Sequence, residues 1–165
     1  MLSGAAMATP PHDLYERIHA TMLDFLASYD QDAASKDVKA LSRTLTPDCR
    51  RYLLPISIAK QAPALAAGTT NEEYEQMMLP EFTHVWDHWR TETKDIMVDE
   101  RARKAVANTV NYMTSKQGQT YCMEFVWKLH MTADGTKVVK VEEFVDTLVV
   151  AQVIADQKGI AEALP

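Results

Sequence analysis

Apolar residues recur every three or four positions in the first periodic stretch of the chain, residues 12–28. This is the period of an amphipathic α-helix, and it predicts one helix over that range. After a polar break, Ser35-Lys-Asp37 offers a cap for a second, short helix that runs through Leu45 and is stopped by Pro47. The small, proline-ended stretch before the first helix, residues 1–11, is expected to be a flexible arm.

The middle of the chain alternates between strand and helix signals. Residues 48–55 are short, β-prone and closed by proline, which predicts a first strand. Thr70-Asn-Glu-Glu73 resembles a capping box and predicts the start of a third helix through Phe82, which Pro80 will kink or divide. Residues 85–98 pass from apolar into alternating sequence and predict a long strand with one polar side in water.

The last third of the chain has the period of β-structure. Strands are predicted over residues 105–113, 120–131 and 137–147, joined by short turns of which Asp134-Gly135 is the clearest. The apolar run 148–154 either extends the last strand or begins a closing helix. We therefore predict an α+β domain over residues 12–155, with an antiparallel sheet wrapped over helices, and a flexible tail over residues 156–165.

Composition narrows the classes of function. The 165 residues suit one domain with one core, and the net charge of -6 with a pI near 5.3 argues against a nucleic-acid partner. Cys49 and Cys122 lie far apart, which favours reduced thiols over a disulfide frame or a zinc site. No apolar run approaches the ~20 residues that cross a bilayer, and the N-terminus lacks the features of a secretion signal. We expect a cytoplasmic protein with no membrane partner.

The last predicted strand carries an acid in line with valines. Strand alternation places Val139, Val141, Glu143 and Val145 on one face. A carboxylate on an apolar face is costly unless it is paired, protonated or lining a wet cavity, so Glu143 is the first candidate for chemistry. The alternative is that this face is a sheet edge or a dimer surface, where Glu143 is simply solvated.

Several segments in this order resemble a known family. They are the strand with Pro47-Asp-Cys49 near its start and Leu54-Pro55 at its end, the Asn71-Glu-Glu-Tyr74 helix, and the final meander closing with Glu142-Glu-Phe-Val-Asp146. Together they resemble the SnoaL-like branch of the nuclear-transport-factor-2-like superfamily, most closely its fungal isomerases and cyclases of meroterpenoid and indole-alkaloid pathways. The resemblance covers residues 14–150.

The resemblance implies both a fold and a way of working. It implies a cone-shaped barrel in which N-terminal helices pack on a curved, mostly antiparallel sheet around a pocket, commonly as a homodimer through the outer sheet face. Relatives of this kind use acids, tyrosines and histidines in the pocket without a metal or an organic cofactor. Because a fold does not fix chemistry, these implications are expectations for this chain.

The resemblance also implies catalytic positions. An arginine on the first strand falls on Arg50, with Arg51 as the alternative register, and a glutamate on the last strand falls on Glu143. A guanidinium can hold a substrate oxygen, and a carboxyl group in an apolar cone can transfer a proton. The alternative for Arg50 is a surface arginine at the sheet edge. Tyr121 is placed to orient a substrate oxygen, or else fills the core with its hydroxyl at the rim.

A histidine completes the set of acid/base candidates. His84 is the third candidate, with a surface position as the alternative. His84 and His88 stand four apart around Asp87, but the familiar zinc motif needs a glutamate beside the first histidine and a third ligand, so no metal is expected. The cysteines have no Cys-His-Asp arrangement that would support nucleophilic catalysis. The expected substrate-binding side chains are Tyr52, Met123, Phe125 and Trp89.

The resemblance, together with these residues, implies a cofactor-free isomerase or cyclase of fungal secondary metabolism that acts on a hydrophobic polycyclic intermediate by acid/base catalysis in an enclosed pocket. The expected partners are that small hydrophobic substrate and a second copy of the chain. Two alternatives stay open. One is a dehydratase of the scytalone-dehydratase type, and the other is a non-catalytic dimeric module that binds a ligand or a protein.

Overall fold

A computed structural model describes residues 11–30, 37–60 and 63–163 of the chain. Within these ranges it contains four α-helices and five strands. The helices are α1 (Pro11–Ala27), α2 (Pro63–Ala67), α3 (Asn71–Pro80) and α4 (Thr147–Ala163). The strands are β1 (Leu45–Leu54), β2 (Trp86–Asp99), β3 (Lys104–Ser115), β4 (Thr120–Met131) and β5 (Val138–Val145). Short 3₁₀ turns span Val38–Ser42 and Ile56–Lys60, and a π turn spans Glu81–Val85.

The five strands form one curled, unclosed sheet on which helices pack. Its order is β1-β5-β4-β3-β2, and only the β1–β5 pair is parallel. The core lies between the inner face of the sheet and α1, whose Ile18, Met22 and Phe25 are fully buried. The predicted α+β cone, with helices on a curved and mostly antiparallel sheet, is therefore confirmed. No helix in the described ranges is long and apolar enough to cross a membrane.

Most of the predicted elements form, with one clear error near the start of the sheet. The short helix is a 3₁₀ turn that ends at Ser42, and Pro47 lies inside β1 instead of stopping a helix. Proline is tolerated there because β1 is an edge strand whose pairing with β5 is irregular between Leu45 and Arg50. The capping box at Thr70 is confirmed, and Pro80 does end α3 ahead of the π turn.

The last apolar run is a helix and not an extension of β5. Asp146 caps it, since its Oδ1 accepts hydrogen bonds from the backbone N–H groups of Leu148 at 3.0 Å and Val149 at 3.3 Å. The helix continues through residues 156–163, which the sequence assigns to a tail. The flexibility of that tail stays a prediction, and residues 164–165 lie outside the described part of the chain, as do residues 1–10 of the predicted arm.

A bulge in β5 changes which valines face the core. Met131 pairs with Val138 and His130 pairs with Lys140, so Val139 is skipped by the ladder. Val138 is consequently buried, whereas Val139 is 39% exposed, and its predicted inward position is wrong. Beyond the bulge the expected alternation holds, which places Val141, Glu143 and Val145 on the inner face.

Candidate active site

The inner face of the sheet, with α3 and α4, lines two adjoining cavities that we call together the chamber. The first lobe has a volume of about 150 Å³ and is lined by Leu53, Tyr74, Met77, Met78, Trp89, Met123, Phe125, Glu143, Val145 and Val150. The second lobe, of about 200 Å³, is lined by Met77, Met78, Glu81, Trp86, Trp89, Met113 and Met123. Each lobe thus has one charged lining residue. The two lobes share the lining residues Met77, Met78, Trp89 and Met123. Three of the expected substrate-binding residues, Trp89, Met123 and Phe125, lie on the wall, and their role in binding stays a prediction.

Glu143 reaches the first lobe because of strand pairing. It lies beside Leu53 of β1 and Trp127 of β4, and residues paired side by side point to the same face of a sheet. The structure gives its carboxyl group no ion pair within 4.0 Å and no side-chain hydrogen bond among the described residues. Burial raises the pKa of Glu143 to about 7, and the positive charge of Arg51 only partly opposes that rise.

Arg51 is the arginine that enters the core. It is 2% exposed, and its guanidinium donates hydrogen bonds to the hydroxyl of Tyr29 at 2.8 Å and to the backbone carbonyl of Leu41 at 2.5 Å. The same group lies over the ring of Tyr74, with 4.0 Å between the guanidinium carbon and the ring centre. Arg51 does not line either lobe, so it lies behind the chamber wall next to Glu143.

The predicted pocket position of Arg50 is wrong, and the alternative register with Arg51 inside is the one observed. The parallel pairing sets Arg51 beside the buried Val141 and Arg50 beside Lys140 on the outer face. Arg50 is exposed and lies 4.0 Å from the carboxylate of Glu73, a contact at the surface. Since only alternate residues of a strand point inward, burying one arginine exposes its neighbour.

Two buried tyrosines complete a polar group that the sequence analysis missed. The hydroxyls of Tyr29 and Tyr74 lie 3.0 Å apart, and Tyr74 also lines the first lobe. Burial raises the pKa of Tyr29 to about 12 and raises the pKa of Tyr74 well above its usual value. Both side chains stand on or just beyond the apolar stripe of a helix, which made them look like core residues. A buried tyrosine hydroxyl needs a partner, and that requirement was the available signal.

Tyr121 is held at the edge of the chamber and not inside it. Its hydroxyl lies 2.8 Å from Oδ2 of Asp156 on α4 and 3.0 Å from Oε1 of Gln119, and burial raises its pKa to about 12. It belongs to neither lobe's lining, although its ring packs edge-on against Trp86. The structure therefore favours the alternative of core filling with the hydroxyl at the rim, and it disagrees with the placement of Tyr121 as a catalytic group.

Two further predicted site residues lie outside the chamber. His84 is exposed on the π turn, because that turn directs Phe82 and not His84 into the core. Tyr52 pairs with Glu142 on the outer face, where its ring packs against Gly68 and lies 5.0 Å from Nζ of Lys140. The surface position, which the sequence leaves open for His84, is therefore the one observed, and the pocket position predicted for Tyr52 is wrong. Among the described residues, no group of three or more His, Cys, Asp or Glu could hold a metal ion.

Comparison with known proteins bears on the fold and on the kinds of activity that occur within it. The structure is similar to that of BvnE pinacolase from Penicillium brevicompactum, with a TM-score of 0.78, 20% identity, and coverage of 94% of this chain and 99% of that one. The chain has the nuclear-transport-factor-2-like fold. PrhC from Penicillium brasilianum is also similar, with a TM-score of 0.74, 20% identity and coverage of 91% and 93%.

One known protein is also similar to this chain in amino-acid sequence. Monooxygenase nsrS from Aspergillus novofumigatus is 26% identical over 129 residues, which are 78% of this chain and 79% of that protein. No protein family profile matches the chain. The predicted resemblance is thus confirmed for the fold, and fungal proteins are among those that share it. The names pinacolase and monooxygenase show that enzymes occur among the similar proteins, and they leave the reaction of this chain open.

Proposed function

We propose that this protein is a cofactor-free enzyme that isomerises or cyclises a hydrophobic polycyclic intermediate in the chamber, with Glu143 as the group that transfers the proton. The observation that carries the proposal is a single carboxyl group, with a pKa near 7, on the wall of an otherwise nearly apolar lobe. An acid with a pKa near the working pH is populated in both forms, so it can accept a proton in one step and return it in the next.

In this proposal, the hydrogen bonds among Arg51, Tyr29 and Tyr74 orient the proton of the Tyr74 hydroxyl. Arginine only donates hydrogen bonds, so the Tyr29 hydroxyl accepts from Arg51. Either hydroxyl can donate across the 3.0 Å between Tyr29 and Tyr74, and we assign this hydrogen bond to the proton of Tyr29. The proton of Tyr74 is then left for an oxygen atom of the substrate in the first lobe. In this arrangement Glu143 and Tyr74 touch the substrate, and Arg51 and Tyr29 are positioning residues. A series of hydrogen bonds of this kind polarises its last donor, and a polarised donor suits the binding of a carbonyl oxygen or a developing enolate oxygen.

The rest of the lining supports an apolar substrate. Methionine and tryptophan side chains form the walls that the two lobes share, and leucine and valine side chains line the first lobe. Flexible thioethers adapt to an irregular ligand. An apolar ligand that fills the lobes displaces water from them, which strengthens the electrostatic effect of the few polar groups on their walls. The similar protein BvnE is named a pinacolase, which supports rearrangement of a carbon skeleton as the kind of reaction.

Two other reactions are kept as outcomes of the test. Dehydration uses the same acid/base group, and the similar protein nsrS is named a monooxygenase, which supports oxygenation as a second candidate. The purified protein is incubated with a panel of polycyclic fungal intermediates, and the products are analysed by mass spectrometry. Isomerisation or cyclisation conserves mass, dehydration removes one water, and oxygenation adds oxygen. The proposal expects conserved mass.

The role of Glu143 is tested with the substrate found in this way. Glu143→Gln keeps the shape and removes the proton-transfer group, so kcat is expected to fall about 10²- to 10⁴-fold. Glu72→Gln is the matched control, because Glu72 is exposed on α3 and lines neither lobe. Turnover by Glu143→Gln equal to that of the control contradicts the mechanism. Turnover lost equally in both variants also contradicts it, since the effect is then not specific to the chamber.

The proposed assembly is a homodimer through the outer sheet face. Val126 and Phe144, neighbours across β4 and β5, are 39% and 48% exposed on that face and support the proposal. Sedimentation of wild-type protein and of Phe144→Lys tests it, with a dimer expected for the first and a monomer for the second. The cytoplasmic location stays a prediction.

A further inference from the structure

The second lobe of the chamber has its own polar group, which the proposed reaction does not use. Glu81 lies on that lobe and is absent from the lining of the first, whereas Glu143 lines only the first. The other lining residues of the second lobe are methionines and the tryptophans Trp86 and Trp89. Glu81 is a partly buried carboxyl group in an otherwise apolar wall, and its position calls for its own explanation.

The backbone around Glu81 is built to hold this side chain at the lobe. Glu81 opens the π turn that follows Pro80, and its backbone carbonyl accepts the hydrogen bond from the backbone N–H of Trp86. Its side-chain Oε2 also accepts a hydrogen bond from Nε1 of Trp86 at 3.0 Å. Trp86 thus fixes both the backbone and the carboxyl group of Glu81. Single π turns are frequent at functional sites because the extra residue redirects a side chain.

The contacts of Glu81 leave acceptor capacity unused. A second hydrogen bond reaches the carboxyl group from the side chain of Gln157 on α4, and the structure gives Glu81 no ion pair within the described ranges. Burial raises the pKa of Glu81, and the hydrogen bonds from Trp86 and Gln157 oppose the rise. A carboxylate offers about four acceptor positions, so two donors leave room for one more from inside the lobe.

We propose that Glu81 binds a hydroxyl group of the ligand, at the end of the molecule remote from Glu143. The chamber then selects a hydrophobic ligand with an oxygen function in the first lobe and a hydrogen-bond donor in the second. This inference rests on the proposed function for the identity of the natural ligand. It does not need turnover, because it is a statement about binding in the second lobe.

A purely structural role is the alternative. Glu81 would then serve only to hold Trp86 and α4 in place, and the lobe would take any apolar group. The two roles make different predictions for ligands that differ only by a donor. If Glu81 is only structural, its substitution changes the affinity for both ligands equally. If Glu81 binds the ligand, its substitution changes only the affinity for the ligand that carries the hydroxyl.

The experiment uses 2-naphthol and its methyl ether, 2-methoxynaphthalene, which share an apolar body and differ in the donor. Binding to the full chain is measured by the fluorescence of the probes. Because a hydrogen bond to a charged acceptor is among the stronger ones, wild type is expected to prefer 2-naphthol by about tenfold or more. The preference is expected to persist in Glu143→Gln, which shows that it does not come from the first lobe.

Glu81→Gln is the decisive variant. Its amide oxygen can still accept from Trp86, but the negative charge is gone, so the preference for 2-naphthol is expected to fall at least fivefold while the affinity for 2-methoxynaphthalene is kept. Glu72→Gln, an exposed change on α3, the helix that leads into the π turn, is expected to behave as wild type. Three results overturn the proposal: a wild type that binds neither probe or does not discriminate between them, a preference that survives in Glu81→Gln, and an equal loss of both affinities.

The two proposals can fail separately. If Glu143→Gln keeps full turnover while the Glu81 variant loses its discrimination, the reaction mechanism is wrong and the second-lobe site stands. If the Glu81 variant discriminates normally while Glu143→Gln is inactive, the reverse holds. Urea unfolding of each variant shows whether the lost contacts with Trp86 and Gln157 have unfolded the protein, and Glu81→Asp, which retains the charge, provides a second variant expected to keep part of the preference.

Discussion

Arg51 and Tyr74 are stacked inside the protein, with 4.0 Å between the guanidinium carbon and the centre of the aromatic ring. One partner comes from an edge strand and the other from a helix, so the contact joins the sheet to the wall of the chamber. Arg51 also donates to the Tyr29 hydroxyl, which lies 3.0 Å from that of Tyr74, and to the backbone carbonyl of Leu41. The charge next to Glu143 is therefore fixed in position by three separate contacts.

The first prediction concerns the stability that this contact provides. Arg51→Lys retains the charge but loses the planar stacking and the forked hydrogen bonds to Tyr29 and Leu41. We expect the free energy of unfolding to fall by about 2–4 kcal/mol, as measured by urea denaturation. The neighbouring change Arg50→Lys affects an exposed residue and is expected to stay within about 0.5 kcal/mol. Equal effects of the two substitutions would mean that the observed strand register is wrong.

The second prediction concerns the pH dependence of stability. Between the usual pKa of Glu143 near 4.5 and its folded value near 7, the folded state holds a proton that the unfolded state has lost. The contribution of Glu143 to stability is therefore fully present below about pH 4.5 and is lost as the pH rises through 7, by about 3 kcal/mol. Glutamine does not titrate, so the stability of Glu143→Gln relative to wild type should increase over this range.

The check is a series of urea denaturations from pH 5 to pH 8. Glu72→Gln is again the control, because its side chain is exposed on α3 and lines neither lobe. A flat difference for Glu143→Gln would show that this carboxyl group is ionised throughout the range and is not desolvated.

The third prediction concerns Tyr74, the proposed hydrogen-bond donor to the substrate. Tyr74→Phe retains the ring that stacks on Arg51 and removes the hydroxyl that meets Tyr29. We expect a loss of about 1 kcal/mol in unfolding free energy and a fall in kcat of about 10²-fold from the loss of one oriented donor. Tyr112→Phe is the matched control, since that hydroxyl bonds Glu92 on an exposed part of the sheet. A Tyr74→Phe enzyme with the kcat of the control would remove Tyr74 from the mechanism.

The fourth prediction concerns the helix that covers the chamber. α4 contributes Val150 to the first lobe, and Tyr121 holds it through Asp156. Tyr121→Phe removes the hydroxyl and retains the ring against Trp86. Hydrogen exchange of α4 amides is expected to accelerate about fivefold, the effect of losing about 1 kcal/mol locally, while exchange in β3 is unchanged. Unchanged exchange in α4 would show that other contacts hold the helix.

Much of the architecture follows from local sequence signals. The helical period of α1, the capping box at Thr70 and the turn at Asp134-Gly135 each specify their element from a few adjacent residues. Asp146 also carried a usable signal, because a capping side chain just before an apolar run favours a helix over a longer strand. The sequence alone does not decide whether residues 148–154 extend β5 or begin a helix, because valine-rich runs fit both a strand and a helix.

The site was harder to predict, because it depends on the relative position of distant segments. Strand alternation correctly predicts that Glu143 faces inward. The same rule predicts the wrong face for Val139, which the bulge leaves out of the ladder. The choice between Arg50 and Arg51 required the register against β5, which no local pattern contains. Tyr29 and Tyr74 meet only in the folded chain, so their shared hydrogen bond has no signal in either helix alone.

The most direct test of the account is the titration of Glu143 itself. Wild-type protein labelled with ¹³C at the glutamate side-chain carboxyl is followed by NMR from pH 3 to pH 9, and the resonance missing from the spectrum of Glu143→Gln identifies the residue. A midpoint near pH 7, set by burial in the chamber, is the predicted result. A midpoint near 4.5, as for a carboxyl group in water, would contradict the proposed role of Glu143 in proton transfer.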